Sequence, residues 1–98
     1  GTHFPDSDPQ YKDISSLTLL TETCQLLTVK GFRIINLDAT LFAEEPKLAP
    51  HRQEMQTRLA DAMRIKPAEI NIKATTTEGL GVIGKGEGIA AMCIALID

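Results

Sequence analysis

Three consecutive threonines and a carboxylate, Thr75-Thr76-Thr77-Glu78, stand directly before a run that holds five glycines and a lysine, Gly79 to Gly88. Threonine hydroxyls and unshielded backbone N–H groups are donors for phosphate oxygens. Glu78 offers a hard oxygen ligand to a divalent metal, and Lys85 adds a cation. The residue types point to phosphate and metal chemistry, yet the two familiar nucleotide spacings in this segment both fail. Gly79-Leu80-Gly81-Val82-Ile83-Gly84 matches G-x-G-x-x-G, which needs a helix directly after the turn and then another strand. Lys85-Gly86-Glu87-Gly88 opposes such a helix, and the fourteen residues after Gly84 are too few for a βαβ unit. Gly79 to Lys85 also fits G-x-x-x-x-G-K, but Gly86 stands where a Ser or Thr must bind Mg²⁺. The plain alternative is a glycine-rich hairpin loop between two strands. Thr75, Thr76 and Thr77 are then strand residues and Glu78 a solvated acid.

The remaining chain predicts the elements that carry this segment. Pro5, Pro9, Asp6 and Asp8 keep residues 1–13 out of regular structure. Ser15-Ser16 caps a helix from about Leu17 to Lys30, with Leu19, Leu20, Thr23, Cys24 and Leu27 on one face and Gly31 at its left-handed end. Phe32 to Phe42 alternates as a strand. Residues 43–49 break it, and Pro50 starts a second helix to about Met63, burying Met55, Leu59, Ala62 and Met63. Ile70 to Ala74 is a second strand. Ile89 to Ile97, apolar almost throughout, predicts a third strand covered on both faces. The fold class is α/β (α+β): a mixed sheet with helices packed on one face, all in one domain, 1–98. Three strands and two helices close a core thinly, so further strands or neighbouring subunits are expected. The chain opens without Met, in what reads as the middle of a loop, which suggests a piece of a longer protein.

Composition narrows the partners. Apolar residues are 43 % of the chain, so it folds, and the near absence of aromatics makes its core aliphatic. A net charge of −3 with mixed signs gives no basic face for nucleic acid. No apolar run suits a membrane span or a signal peptide. Cys24 and Cys93 sit in apolar surroundings without metal-ligand spacing, which reads as two reduced core thiols in a cytosolic protein.

Taken whole, Lys73-Ala-Thr-Thr-Thr-Glu78, Leu80-Gly81 and Gly84-Lys85-Gly86-Glu87-Gly88-Ile89-Ala90 closely resemble the C-terminal signature of the 2-C-methyl-D-erythritol 2,4-cyclodiphosphate synthase family. Gly1-Thr-His-Phe-Pro-Asp-Ser-Asp-Pro9 resembles that family's flexible substrate loop. Ala43-Glu-Glu-Pro-Lys-Leu48 resembles its cytosine-binding turn. The three patches follow the family's order and span the chain. The resemblance implies a homotrimer with active sites between subunits, in the non-mevalonate isoprenoid pathway. Its substrate is 4-diphosphocytidyl-2-C-methyl-D-erythritol 2-phosphate and its products are the cyclodiphosphate and CMP. The location is bacterial cytoplasm, or a plastid in a plant or alga.

By this resemblance Glu78 binds a Mg²⁺ or Mn²⁺ that bridges two phosphates, and Thr76 holds phosphate oxygens. Thr75 and Thr77 shape that strand end. Ala43, Glu44, Glu45, Pro46, Lys47, Leu48 and Ala49 frame the cytosine. Gly1, Phe4, Pro5, Asp6, Ser7 and Asp8 form the loop over the methylerythritol portion. Val82 and Lys85 occupy positions lining the trimer axis, where the family usually carries an aromatic residue and an arginine. Both depart from that pattern, and lysine lacks the bidentate fork of arginine. The family's Zn²⁺ is held by an Asp-x-His pair and a later His, all expected upstream of Gly1. His3 and His51, the two histidines present, do not match those ligands; His51 reads as a surface residue. The competing readings are a non-catalytic cytidine- or diphosphate-binding module and a structural trimer subunit.

Overall fold

The computed structural model describes residues 1–98. Helix α1 (Ser16–Val29) leads to strand β1 (Ile34–Phe42), helix α2 (Arg52–Met63), strand β2 (Ile70–Thr75), a single helical turn α3 (Gly81–Gly84) and strand β3 (Ala90–Ile97). Ser15 starts α1 by accepting the Leu17 N–H at 3.2 Å. Gly31, at φ +83°, releases the chain after the Lys30 cap. Pro50 lies in a 3-10 turn, Ala49–His51, that feeds α2. On α1, Thr23 is exposed instead of buried. Thr21 takes its place, its hydroxyl donating to the Leu17 and Ala62 carbonyls at 3.1 Å and tying α1 to α2.

The sheet order is β2-β1-β3. β1 runs parallel to β2, pairing Leu37 with Ile70, Ala39 with Ile72 and Leu41 with Ala74. It runs antiparallel to β3, pairing Leu37 with Ala95 and Ala39 with Cys93. Because side chains alternate, these residues share one face. The helices cover its β1–β2 part: Ala60 and Met63 of α2 and Ile70 and Ile72 of β2 form the buried cluster, flanked by Leu20, Cys24, Leu37, Leu41, Met55 and Leu59. Each buried isoleucine contributes about 1.5–3 kcal/mol. On the opposite face Asp38 is paired with Lys73 at 3.2 Å and accepts from Asn71 Nδ2 at 3.2 Å.

One alternative and one expectation fall. The plain hairpin alternative does not form: β1 lies between β2 and β3, and the glycine-rich segment is a crossover. β3 is not covered on both faces: Ala91 to Ile97 are all exposed. Both helices pack over the β1–β2 half of the sheet, and no element of this chain lies over β3. Cys93 is therefore exposed, whereas Cys24 is partly buried against the core. Five residues in all are buried, so the core is as thin as the element count predicts.

Candidate functional site

The parallel pairing of β1 and β2 decides which loops meet. Phe42 and Thr75 are the last pair in register. One further bond, Ala43 N–H to Thr75 C=O at 3.1 Å, carries the pairing beyond the strands. Residues 43–49 and 76–80 therefore leave the sheet together, at the carboxyl edge of a parallel pair, where α/β sheets open their ligand crevices. Ala43 is buried, Glu44 and Leu48 are half-buried, and Glu45, Pro46, Lys47 and Ala49 are exposed.

The second loop is a tight turn. Leu80 N–H donates to Thr77 C=O at 3.1 Å, and the Thr77 hydroxyl donates to Leu80 C=O at 2.7 Å. Its central residues, Glu78 at φ +54° and Gly79 at φ +80°, both lie in the left-handed region. That is the pattern of a type I′ turn, which favours Asn-Gly. A glutamate there costs about 1–2 kcal/mol relative to a relaxed backbone, a cost that clusters at functional positions. The Thr76 hydroxyl oxygen accepts the Glu78 N–H at 3.2 Å, which leaves its own proton free to donate outward. Thr75 Oγ1 donates to the Thr76 carbonyl at 3.3 Å. The Glu78 side chain is exposed and belongs to no ion pair.

Two further contacts hold this turn. Glu44 Oε1 accepts the Gly79 N–H at 2.8 Å, joining the two loops directly. Gly84 comes back against Gly79: a Cβ at Gly84 would lie 2.2 Å from the Gly79 carbonyl carbon. Neither contact is foreseen from sequence. Glu44 reads there as one of several residues framing a base, and Gly84 as one of five interchangeable glycines. The spacing of Gly79 and Gly84 around a helical turn is the signal that could have marked the close approach.

The N-terminal loop is separate. Its hydrogen bonds run within residues 1–14. It is also not wholly irregular: Pro9–Tyr11 forms a 3-10 turn, which Asp8 caps by accepting Gln10 N–H at 3.1 Å and Gln10 Nε2 at 2.8 Å. Phe4 stacks edge-on against Tyr11 with ring centroids 5.5 Å apart. Phe4 and Pro5 are half-buried; Gly1, Asp6 and Ser7 are exposed. Val82 and Lys85 are exposed on and beside α3, with the Lys85 N–H closing that turn onto the Gly81 carbonyl.

Glu78 fits a divalent cation of the Mg²⁺ type, which takes one or two protein carboxylates and completes its shell with substrate phosphates and water. The residues present do not fit Zn²⁺, because no three His, Cys, Asp or Glu side chains gather as a metal-holding group. His3 lies in the N-terminal loop, and His51 is exposed at the start of α2. Burial pushes the Cys24 thiol above its usual range. Partial desolvation raises the thiol of the otherwise exposed Cys93 too, with the Asp38 carboxylate adding to the effect. Neither thiol carries the lowered pKa of a reactive cysteine. No helix is long and apolar enough to cross a membrane.

Over residues 1–98 the chain matches the YgbB family. It is 52 % identical to the 2-C-methyl-D-erythritol 2,4-cyclodiphosphate synthase of Desulfatibacillum aliphaticivorans, over 100 % of this chain and 63 % of that protein. It is also 52 % identical to the bifunctional enzyme IspD/IspF of Anaeromyxobacter sp. (strain Fw109-5), over 99 % of this chain and 25 % of that protein. The solved structure of bifunctional IspDF from Campylobacter jejuni superposes with a TM-score of 0.90 at 37 % identity, covering 99 % of this chain and 26 % of that one. A CDP-bound 2C-methyl-D-erythritol-2,4-cyclodiphosphate synthase gives a TM-score of 0.89 at 30 % identity, covering 100 % of this chain and 63 % of that one. The chain thus spans less than two thirds of the length of these relatives.

Proposed function

We propose that this chain, which belongs to the YgbB family, is the cytidine- and metal-binding part of a 2-C-methyl-D-erythritol 2,4-cyclodiphosphate synthase. Residues 1–98 form one domain unit, the C-terminal portion of the synthase domain. The reaction converts 4-diphosphocytidyl-2-C-methyl-D-erythritol 2-phosphate to the cyclic diphosphate and CMP, in isoprenoid biosynthesis. An oxygen of the 2-phosphate attacks the β-phosphorus. The bond from that phosphorus to the bridging oxygen breaks, and CMP leaves with the electron pair. Because the substrate supplies its own nucleophile, the protein's work is alignment and charge neutralisation.

The observation that carries this reading is the joining of the two loops at one sheet edge, through Ala43 to Thr75 and Glu44 to Gly79. It is supported by a relative of the same fold solved with CDP. Residues 43–49 frame the cytosine, with Lys47 beside the ring and phosphates. Thr76 donates its free hydroxyl proton to a phosphate oxygen. Glu78 holds Mg²⁺ or Mn²⁺, which supplies positive charge to the diphosphate when bound. Phe4, Asp6 and neighbouring residues of the 1–8 loop cover the methylerythritol portion. Zn²⁺ finds no fitting ligands here, and no step is assigned to it. The assembly is a homotrimer with Val82 and Lys85 toward its axis, and the location is bacterial cytoplasm or a plastid.

A second reading is a non-catalytic cytidine-diphosphate-binding module, which the relative of the same fold solved with CDP also supports. The experiment that separates the two measures CMP release from the diphosphocytidyl substrate with Mg²⁺ and Zn²⁺, using the protein at its full native length. Release that falls on Glu78→Ala supports the synthase. CDP binding without any release leaves the binding module.

A further inference from the structure

The Glu44 side chain has an unusual place for a residue of a base-framing turn. Its carboxylate reaches across to the other loop, where Oε1 takes the Gly79 N–H at 2.8 Å. Gly79 directly follows Glu78, and both have positive φ. Glu44 is half-buried and enters no ion pair, so its charge is directed at this amide. Gly84 also presses on the Gly79 backbone, so closely that no Cβ fits between them. The Thr76 hydroxyl holds the amide on the other side of Glu78, at 3.2 Å. The peptide units flanking Glu78 are thereby held at both ends, while its own carboxylate projects into solvent.

Building on the proposed metal role of Glu78, we propose that Glu44 is a positioning residue for that carboxylate. By accepting the Gly79 N–H it keeps the Thr77–Leu80 turn in its left-handed form and fixes Glu78 relative to the loop that receives the nucleotide. A charge-assisted bond from a carboxylate to a backbone amide is among the stronger hydrogen bonds available for this purpose. Residues one step removed from a metal typically change its affinity by about 10- to 100-fold when lost. The metal and the nucleotide are then coupled through Glu44. Glutamine keeps the acceptor oxygen and loses the charge assistance, so it substitutes in part where alanine does not.

The test uses the protein at its full native length. Mn²⁺ binding is read by electron paramagnetic resonance in saturating CDP, CDP binding without metal by calorimetry, and folding by thermal melting. Glu44→Ala is expected to weaken Mn²⁺ by about tenfold, clearly more than it weakens metal-free CDP binding, with the protein still melting cooperatively. Glu44→Gln is expected to fall between the unmodified protein and the alanine variant in Mn²⁺ affinity. Unchanged Mn²⁺ affinity in Glu44→Ala overturns the proposal. So does a glutamine variant as weak as alanine, or a loss of CDP affinity equal to the loss of Mn²⁺. Glu78→Ala is the companion arm. If it binds Mn²⁺ normally, the metal reading itself fails; if it loses Mn²⁺ while Glu44→Ala does not, only the positioning role fails.

Discussion

Residues 43–49 and 75–84 are bonded to each other and to the sheet, whereas the loop of residues 1–8 is bonded only within the N-terminal segment 1–14. The first pair is built onto paired strand ends, so its shape exists before any ligand arrives. The second holds its form through ring contacts of Phe4 with His3 and Tyr11 and a capped 3-10 turn. The lesson concerns division of labour. Metal and phosphate chemistry needs carboxylate and hydroxyl groups already in place, while a loop that covers a substrate can be ordered by it. Function and stability should therefore separate differently in the two regions.

The largest effect is expected at Glu78. Glu78→Gly should lower CMP release on the order of a hundredfold, the scale of losing one preorganised charge stabiliser. The same change relieves the left-handed glutamate, so denaturant unfolding should show stability unchanged or raised by up to about 1 kcal/mol. Activity kept at the parental level would remove Glu78 from the chemistry. Next, Gly84→Ala forces a Cβ onto the Gly79 backbone and should cost about 1–3 kcal/mol of stability; a neutral result would break the claim that this loop is tightly built. Asp6→Ala, in the untied loop, should raise KM by about tenfold, as expected for one lost charged hydrogen bond. Its stability should stay within about 0.5 kcal/mol of the parent, and a larger drop in denaturation midpoint would show that this loop is structural. The smallest effect belongs to Asp38→Asn. It removes a half-exposed pair with Lys73 and should cost less than about 1 kcal/mol, shrinking with added salt.

β2 and β3 show where sequence reading stops. β2 alternates, with Ile70 and Ile72 buried and Asn71 and Lys73 exposed. Its fate follows from its pattern because α2, the element just before it, packs on it; Gln56 of α2 even donates to the Ile70 carbonyl at 2.9 Å. β3 is more apolar than β2, yet Met92, Ile94 and Leu96 are 61 %, 70 % and 55 % exposed. An apolar run states a preference for burial; it does not supply the surface that buries it. Cys93 follows its strand into the open for the same reason.

The sequence by itself determined what depends on near neighbours. The Ser15 cap, the Gly31 exit, the alternation of β1 and the Thr75–Glu78 cluster all lie within a few residues of the groups they act on. Resemblance in the same residues also pointed to the family. Tertiary structure alone decided the sheet order β2-β1-β3, and with it a crossover in place of the hairpin that the residues alone left open. It brought Glu44 to Gly79 across 35 positions and Gly84 onto Gly79. Such contacts depend on which strands pair and in which direction. That choice is made by long-range packing of hydrophobic faces, which no local window of residues contains.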